Sequence, residues 1–205
     1  MTVLTPEFAL WIIAAYLLGG IPFGLLFSKA LSNKDPREHG SGNIGATNAL
    51  RTGGKTVGIL TLLADITKGG APVALVAWLS PHQEVLLVSV GLAAFMGHIF
   101  PIYLRFQGGK GVATMFGVLL PWLPWIAITA FAVWLVVFFS TRYVALASII
   151  AAAMIPVLVF VSHTGGTPTW WAAWVLALLV LIRHGSNIQR LLRNEEPKTG
   201  GKKSE

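Results

Sequence analysis

The chain has no cysteine. That excludes disulfides, thiolate metal ligands and any acyl-thioester formed on the protein itself. Charge is scarce too: Asp, Glu, Lys and Arg make up 11% of the 205 residues, against about 25% in an ordinary soluble protein. Three connectors, 80-SPHQE-84, 121-PWLPW-125 and 162-SHTGGTPT-169, carry no Lys or Arg. The histidines lack ligand spacing and Asp65 has no carboxylate near it in sequence, so neither a metal nor another cofactor is expected.

Apolar residues fill this space, at 55% of the chain. Seven apolar runs are expected to be helices, at about 8–31, 55–79, 85–104, 111–120, 126–139, 143–161 and 169–184. Several reach the roughly 18–20 residues that cross a hydrocarbon core of about 30 Å. With no water at that depth, the backbone must satisfy itself, and a helix does so. The fold class expected is therefore all-α, a polytopic bundle of about seven transmembrane helices. Residues 1–193 form one membrane domain in this reading, and 194–205 a flexible tail. No basic n-region precedes the first run, so that run is read as retained rather than cleaved.

Charge fixes the expected orientation. With seven spans, the segments around 32–54, 105–111 and 140–142 and the tail lie on one side. They hold all but Lys68 of the 15 Lys and Arg residues. The positive-inside rule then puts the N-terminus outside and the C-terminus in the cytoplasm. Fusing the fourth and fifth runs into one kinked helix would split Arg142 from the tail and weaken that bias. The formal net charge of +7 is read as this topology signal rather than as nucleic-acid binding.

Three polar clusters fall on the expected cytoplasmic face: 39-HGSGNIGATNALR-51, 97-GHIFPIYLRFQGGKGVAT-114 and 183-RHGSNIQR-190. Glycine-rich backbone can aim several N–H groups at one point, and neighbouring Lys, Arg, Ser and Asn add charge and donors. Phosphate is the ligand that such loops suit. The alternative is that glycine and asparagine only turn the chain while the basic residues mark topology. Three such loops on one face favour the anion reading. The overlapping ALRTGGKT, 49–56, imitates a nucleotide-binding loop, but no strand precedes it and its first position is Ala.

Asp65 and Lys68 lie inside the second run at a spacing that shares a helix face. Charges at membrane depth are costly and either pair or line a polar cavity. Here they lock the bundle or floor a phosphate site. His98 raises the same choice, and Ser148 either faces that cavity or bonds to its own helix.

GSGNIGATNALR, GHIFPIYLRFQGGKGVAT and HGSNIQR resemble the three cytoplasmic motifs of the bacterial membrane glycerol-3-phosphate acyltransferases that use acyl phosphate as donor. The match runs along the whole chain in order and spacing. It departs at Gly185, where the family commonly has Arg. The resemblance implies a multi-pass protein of the bacterial inner membrane with a cytoplasmic active site. It implies acyl phosphate and glycerol 3-phosphate as substrates and membrane lipid as surroundings, with no nucleic acid and no obligatory protein partner. Carried over residue by residue, it implies catalytic roles for Ser41, Arg51, Lys110, His184 and Asn187. Substrate contacts would come from Gly40, Gly42, Asn43, Thr47, Asn48, Asp65, Lys68, His98, Gly108, Gly109, Gly111 and Ser148. The His-x4-Asp pair of soluble and peripheral acyltransferases is absent after every histidine, which with the lack of cysteine points to direct transfer. A transporter of organic phosphates is the rival reading. It fits the buried charges but not the gathering of polar groups on one face, nor the lack of a repeated half.

Overall fold

A computed structural model describes residues 6–162 and 165–199. Regular structure there is helical throughout. Two compact units divide the chain, the first ending at Pro124 and the second beginning at Trp125.

In the first unit the opening apolar run is broken. Helix α1, Pro6–Gly20, and helix α2, Phe23–Ser32, flank Ile21 and Pro22. Proline lacks an N–H and clashes with the preceding turn. Pro22 sits at φ −87°, ψ 68°, with the Phe23 N–H donating to the Ile21 carbonyl at 3.0 Å, an inverse γ-turn. Helix α3 spans Ala46–Gly53, α4 Lys55–Leu79 and α5 Glu84–Ile99. A short 3-10 turn at Ile102–Leu104 leads to α6, Val112–Trp122.

Helices in lipid gain little from apolar burial against one another, so close backbone approach and van der Waals contact hold them. Two glycine seams show this. Gly97 of α5 lies against the Tyr16 carbonyl of α1, and Gly117 of α6 against the Ile66 carbonyl of α4, so that a Cβ at either would collide with backbone. Phe8, Ala15, Val73, Val76, Leu86, Val90, Ala94 and Val118 fill the core between these helices.

The second unit begins one residue into α7, Pro124–Thr141, and contains α8, Val144–Ser162, α9, Pro168–Arg183, and α10, Gly185–Leu192. The α7–α8 turn places Arg142 in the left-handed region at φ 65°. Thr167 caps α9 by accepting the Trp170 N–H at 3.2 Å, with Pro168 opening the first turn; both are standard start signals. Helices α8 and α9 pack on each other, and alanines 147, 151 and 152 of α8 and 172, 173 and 177 of α9 are buried. The axis bends by 58° between α9 and α10.

All seven expected apolar runs are thus helical. Five helical segments have the length and apolarity to cross a membrane, counting α1 and α2 as one, and six if α9 and α10 are taken together. Helix α6 is apolar but has only 11 residues.

Candidate active site

The loop between α2 and α3 is shaped from within by one side chain. Asn48, 2% exposed, donates through Nδ2 to the carbonyls of Pro36 at 2.8 Å, His39 at 3.0 Å and Asn43 at 2.8 Å. Its Oδ1 accepts the Ser41 N–H at 2.9 Å. Asn43 Oδ1 accepts the Gly45 N–H at 2.8 Å, which starts α3. The Gly42 N–H reaches the His39 carbonyl at 3.2 Å. The amides of Ser41 and Gly42, expected to face a ligand, are therefore used inside the loop. Asn48, expected as a substrate contact, has its hydrogen-bonding capacity taken up by the loop itself. Thr47 is half-buried beside it, while Ser41 and Arg51 are exposed. Among the described residues, the Arg51 side chain forms no hydrogen bond or ion pair.

A second lock sits at the start of this loop. Arg37 donates to Asp35 through Nε at 2.9 Å and Nη2 at 2.6 Å, and Lys29 stands 3.3 Å from the same carboxylate. The Arg37 hydrogen bonds hold the Asp35 carboxyl well below the usual carboxylate range. His39 Nδ1 meets the Asp35 carbonyl at 2.9 Å.

The Gln107–Gly111 segment lies on the end of α5. The Gly109 N–H donates to the His98 carbonyl at 3.1 Å, so this amide too is taken. Gly109 covers the His98 ring so closely that a Cβ would collide with Nε2. Gly111 is left-handed at φ 82°, and Lys110 is half-buried. His98 Nδ1 lies 3.7 Å from Asp65 Oδ1. Lys68 Nζ is 2.8 Å from the same oxygen and 2.8 Å from the Ile21 carbonyl. The first unit thus brings Asp65, Lys68 and His98 into one buried cluster below Gly109.

In the second unit, His184 closes α9 and is 3% exposed. Its Nδ1 meets the Val180 carbonyl at 2.8 Å. That contact favours a proton on Nδ1 and leaves Nε2 the basic nitrogen of the neutral ring. Asn187 Nδ2 donates to Glu196 Oε1 at 2.7 Å, and Arg190 Nε to Glu196 Oε2 at 2.7 Å. Glu196 escaped the sequence reading, which placed it in the tail. That tail is anchored over its first residues: the Thr199 N–H also donates to the Arg142 carbonyl at 2.9 Å. Residues 200–205 lie outside the described residues. Ser148 donates to the Val144 carbonyl at 2.8 Å and accepts Trp134 Nε1–H at 3.1 Å. The bond to its own helix was one of the two expected readings. Among the described residues no group of three His, Asp or Glu could hold a metal.

Several helices long and apolar enough to cross a membrane, with glycine-rich polar loops at their ends, mark a polytopic integral membrane protein. The chain belongs to the glycerol-3-phosphate acyltransferase family, whose model matches residues 9–194. It is 50% identical over 189 residues to the glycerol-3-phosphate acyltransferase of Trichlorobacter lovleyi, covering 92% of this chain and 95% of that one. To the Syntrophotalea carbinolica protein of the same name it is 45% identical over 191 residues, 93% and 96% of the two chains. Among solved structures it is similar to PlsY (YgiH), an integral membrane glycerol 3-phosphate acyltransferase. The glycerol 3-phosphate form matches at TM-score 0.89 and 39% identity, covering 95% of this chain and 96% of that one. The lysophosphatidic acid form matches at 0.86 and 38%, with the same coverage. The protein is accordingly an acyltransferase of phospholipid biosynthesis.

Proposed function

We propose that the enzyme moves a fatty acyl group from acyl phosphate to the sn-1 hydroxyl of glycerol 3-phosphate. The products are 1-acyl-glycerol 3-phosphate and inorganic phosphate, and no acyl-enzyme forms. The observation that carries this reading is the α2–α3 loop. Asn48 fixes its shape from inside, while Ser41 and the unpaired Arg51 remain exposed. The PlsY neighbour was captured in glycerol 3-phosphate and lysophosphatidic acid forms, which supports the same acceptor and product here.

In the mechanism proposed, Ser41 and Arg51 hold the acceptor phosphate, with Gly40, Gly42, Asn43 and Thr47 shaping the loop around them. Lys110, between Gly108, Gly109 and Gly111, neutralises the donor phosphate. Acyl phosphate is a mixed anhydride with a good leaving group, so positioning and charge neutralisation are the main tasks. The sn-1 oxygen bonds to the acyl carbon, the carbon–oxygen bond to phosphate breaks, and phosphate leaves with the electron pair. We assign His184 and Asn187 to the donor phosphate on the strength of the third motif. The hydroxyl proton goes to His184 Nε2 or to a substrate phosphate.

The same reading has seven spans, with α6 as the fourth. The N-terminus is outside and the C-terminus cytoplasmic, in a bacterial inner membrane with the active site facing the cytoplasm. The absence of native cysteine makes single introduced cysteines a clean probe. A cysteine at Ser80 should be labelled from outside the cell and one at Arg105 should not.

The deciding assay uses purified protein in detergent. Phosphate should be released from acyl phosphate only when glycerol 3-phosphate is present. A transporter would do nothing without two compartments. Arg51→Ala should raise KM for glycerol 3-phosphate far more than KM for acyl phosphate. A Lys110→Ala enzyme with unaltered kcat would remove Lys110 from the donor site. Substantial turnover by His184→Ala would make the substrate phosphate the base.

A further inference from the structure

Asp65 and Lys68 are the most buried of the Asp, Glu, Lys and Arg residues among the described residues, and both were expected to touch substrate. Their surroundings give them another task. Their side chains are 3% and 2% exposed. Lys68 Nζ lies between Asp65 Oδ1 and the Ile21 carbonyl, at 2.8 Å from each, and 5.8 Å from the centroid of the Phe23 ring. Ile21 is the last residue before Pro22, where the first span breaks. The γ-turn N–H of Phe23 takes one lone pair of the Ile21 carbonyl at 3.0 Å; with no water at membrane depth, the other lone pair is met by a donor from a neighbouring helix. Lys68 of α4 is that donor, and Asp65 one turn earlier neutralises it.

The consequence reaches the candidate site through two contacts. Gly24 lies in the first turn of α2 beyond the break, so tightly on the Ile44 carbonyl that a Cβ would collide with it. Ile44 belongs to the loop that carries Ser41 and is itself buried. On the other side of the pair, Asp65 Oδ1 faces His98 Nδ1 at 3.7 Å. The His98 ring and carbonyl support Gly109 beside Lys110. One ion pair therefore stands beneath both polar loops of the first unit.

We propose that Lys68 and Asp65 are positioning residues rather than substrate ligands. Lys68 caps the α1–α2 break and so sets the loop that carries Ser41; Asp65 holds His98 under Gly109 and so sets the loop that carries Lys110. The kinetic part of the test rests on the acyl-transfer reading above, and the exchange part does not.

The test compares wild type, Lys68→Met, Asp65→Asn and the doubly neutral Asp65→Asn/Lys68→Met, all without substrate in detergent. The double variant leaves no unpaired buried charge, so it covers the case in which the single variant fails to fold. Amide hydrogen exchange is read by mass spectrometry. Lys68→Met and the double variant should exchange faster across 23–45 by about tenfold or more, with α8 unaltered. Asp65→Asn alone should speed exchange around 105–111. In the assay, the double variant should raise KM for glycerol 3-phosphate about tenfold while kcat stays within about threefold. Unaltered exchange with a collapsed kcat would make the pair direct ligands and overturn the proposal. Faster exchange in every helix would reduce the pair to general stabilisers and overturn it too. If wild type transfers no acyl group, the reading of function fails, while the exchange pattern still decides the role of the pair.

Discussion

The tripeptide His-Gly-Ser occurs twice, at 39–41 and 184–186, and the two copies fold differently. They agree in one local contact: each histidine places Nδ1 near the carbonyl four residues back, Asp35 at 2.9 Å and Val180 at 2.8 Å. Beyond that they part. His39 is exposed and Gly40 turns left-handed at φ 65°. His184 is buried and Gly185 opens helix α10. A Cβ on Gly40 would strike Asn48 Oδ1, whereas one on Gly185 meets nothing within 4 Å among the described residues. The ring-to-carbonyl contact is what the tripeptide permits locally. What the glycine must do is set by a side chain eight residues away in one copy and by nothing comparable in the other.

The hardest way to break this comparison is to remove Asn48. Asn48→Ala strips a donor from the Pro36, His39 and Asn43 carbonyls and an acceptor from the Ser41 N–H. Leaving such groups unpaired should cost about 3 kcal/mol of stability. Thermal unfolding in detergent reads the stability. The two-substrate assay should show kcat/KM falling at least about tenfold. A stable, active Asn48→Ala enzyme would mean that the loop holds its form by itself.

Gly40→Ala should come next. It forces a Cβ into the left-handed region and onto Asn48 Oδ1, at about 2 kcal/mol. Its kinetic signature should be a raised KM for glycerol 3-phosphate. Glu196→Ala should follow, at about 1–2 kcal/mol, because it removes the carboxylate that receives Asn187 and Arg190. Glu196→Gln keeps one acceptor oxygen and should lose less. The two segments then differ in kind: one is braced from within its own loop, the other by a residue from the tail.

The apolar runs made the helices legible, because long hydrophobic stretches leave the backbone no other solution at membrane depth. The break at Pro22 was not legible, since apolar residues continue across it and only the γ-turn and the donation from Lys68 reveal two helices. The three polar clusters stood out for their glycines and hydroxyls. What sequence did not resolve was which polar groups point outward. Asn48 looks like a ligand in a glycine-rich loop, and its role as the loop's internal brace exists only once Pro36, His39 and Asn43 curl around it. Glu196 sits in a polar stretch with no apolar pattern, and two charge-assisted hydrogen bonds pin it without any.

Asp35 offers a smaller effect with a definite sign. Its carboxyl is held down chiefly by the Arg37 hydrogen bonds, with Lys29 adding to them. A lowered carboxyl contributes stability that is fully present above its unfolded value, about pH 4, and that is lost as pH falls through the depressed folded value. Thermal unfolding should therefore separate wild type from Asp35→Asn at pH 7, and the gap should close in acid below pH 4. A gap that widened on acidification would reverse the assignment.

The smallest expected effect is the sharpest control on the paired tripeptides. Gly185 follows the His184 bend at the first position of α10, outside the left-handed region, with open space where a Cβ would stand. Alanine loses less backbone entropy than glycine on entering a helix, so Gly185→Ala should hold or raise stability by about 0.5 kcal/mol. Gly185→Arg adds a cation at a helix N-terminus and should give back about that much. Both should leave kcat/KM within about twofold. If Gly185→Ala proved as damaging as Gly40→Ala, the second histidine would need its glycine for a reason other than backbone geometry. The contrast drawn from Asn48 would then fail at the copy where it predicts tolerance.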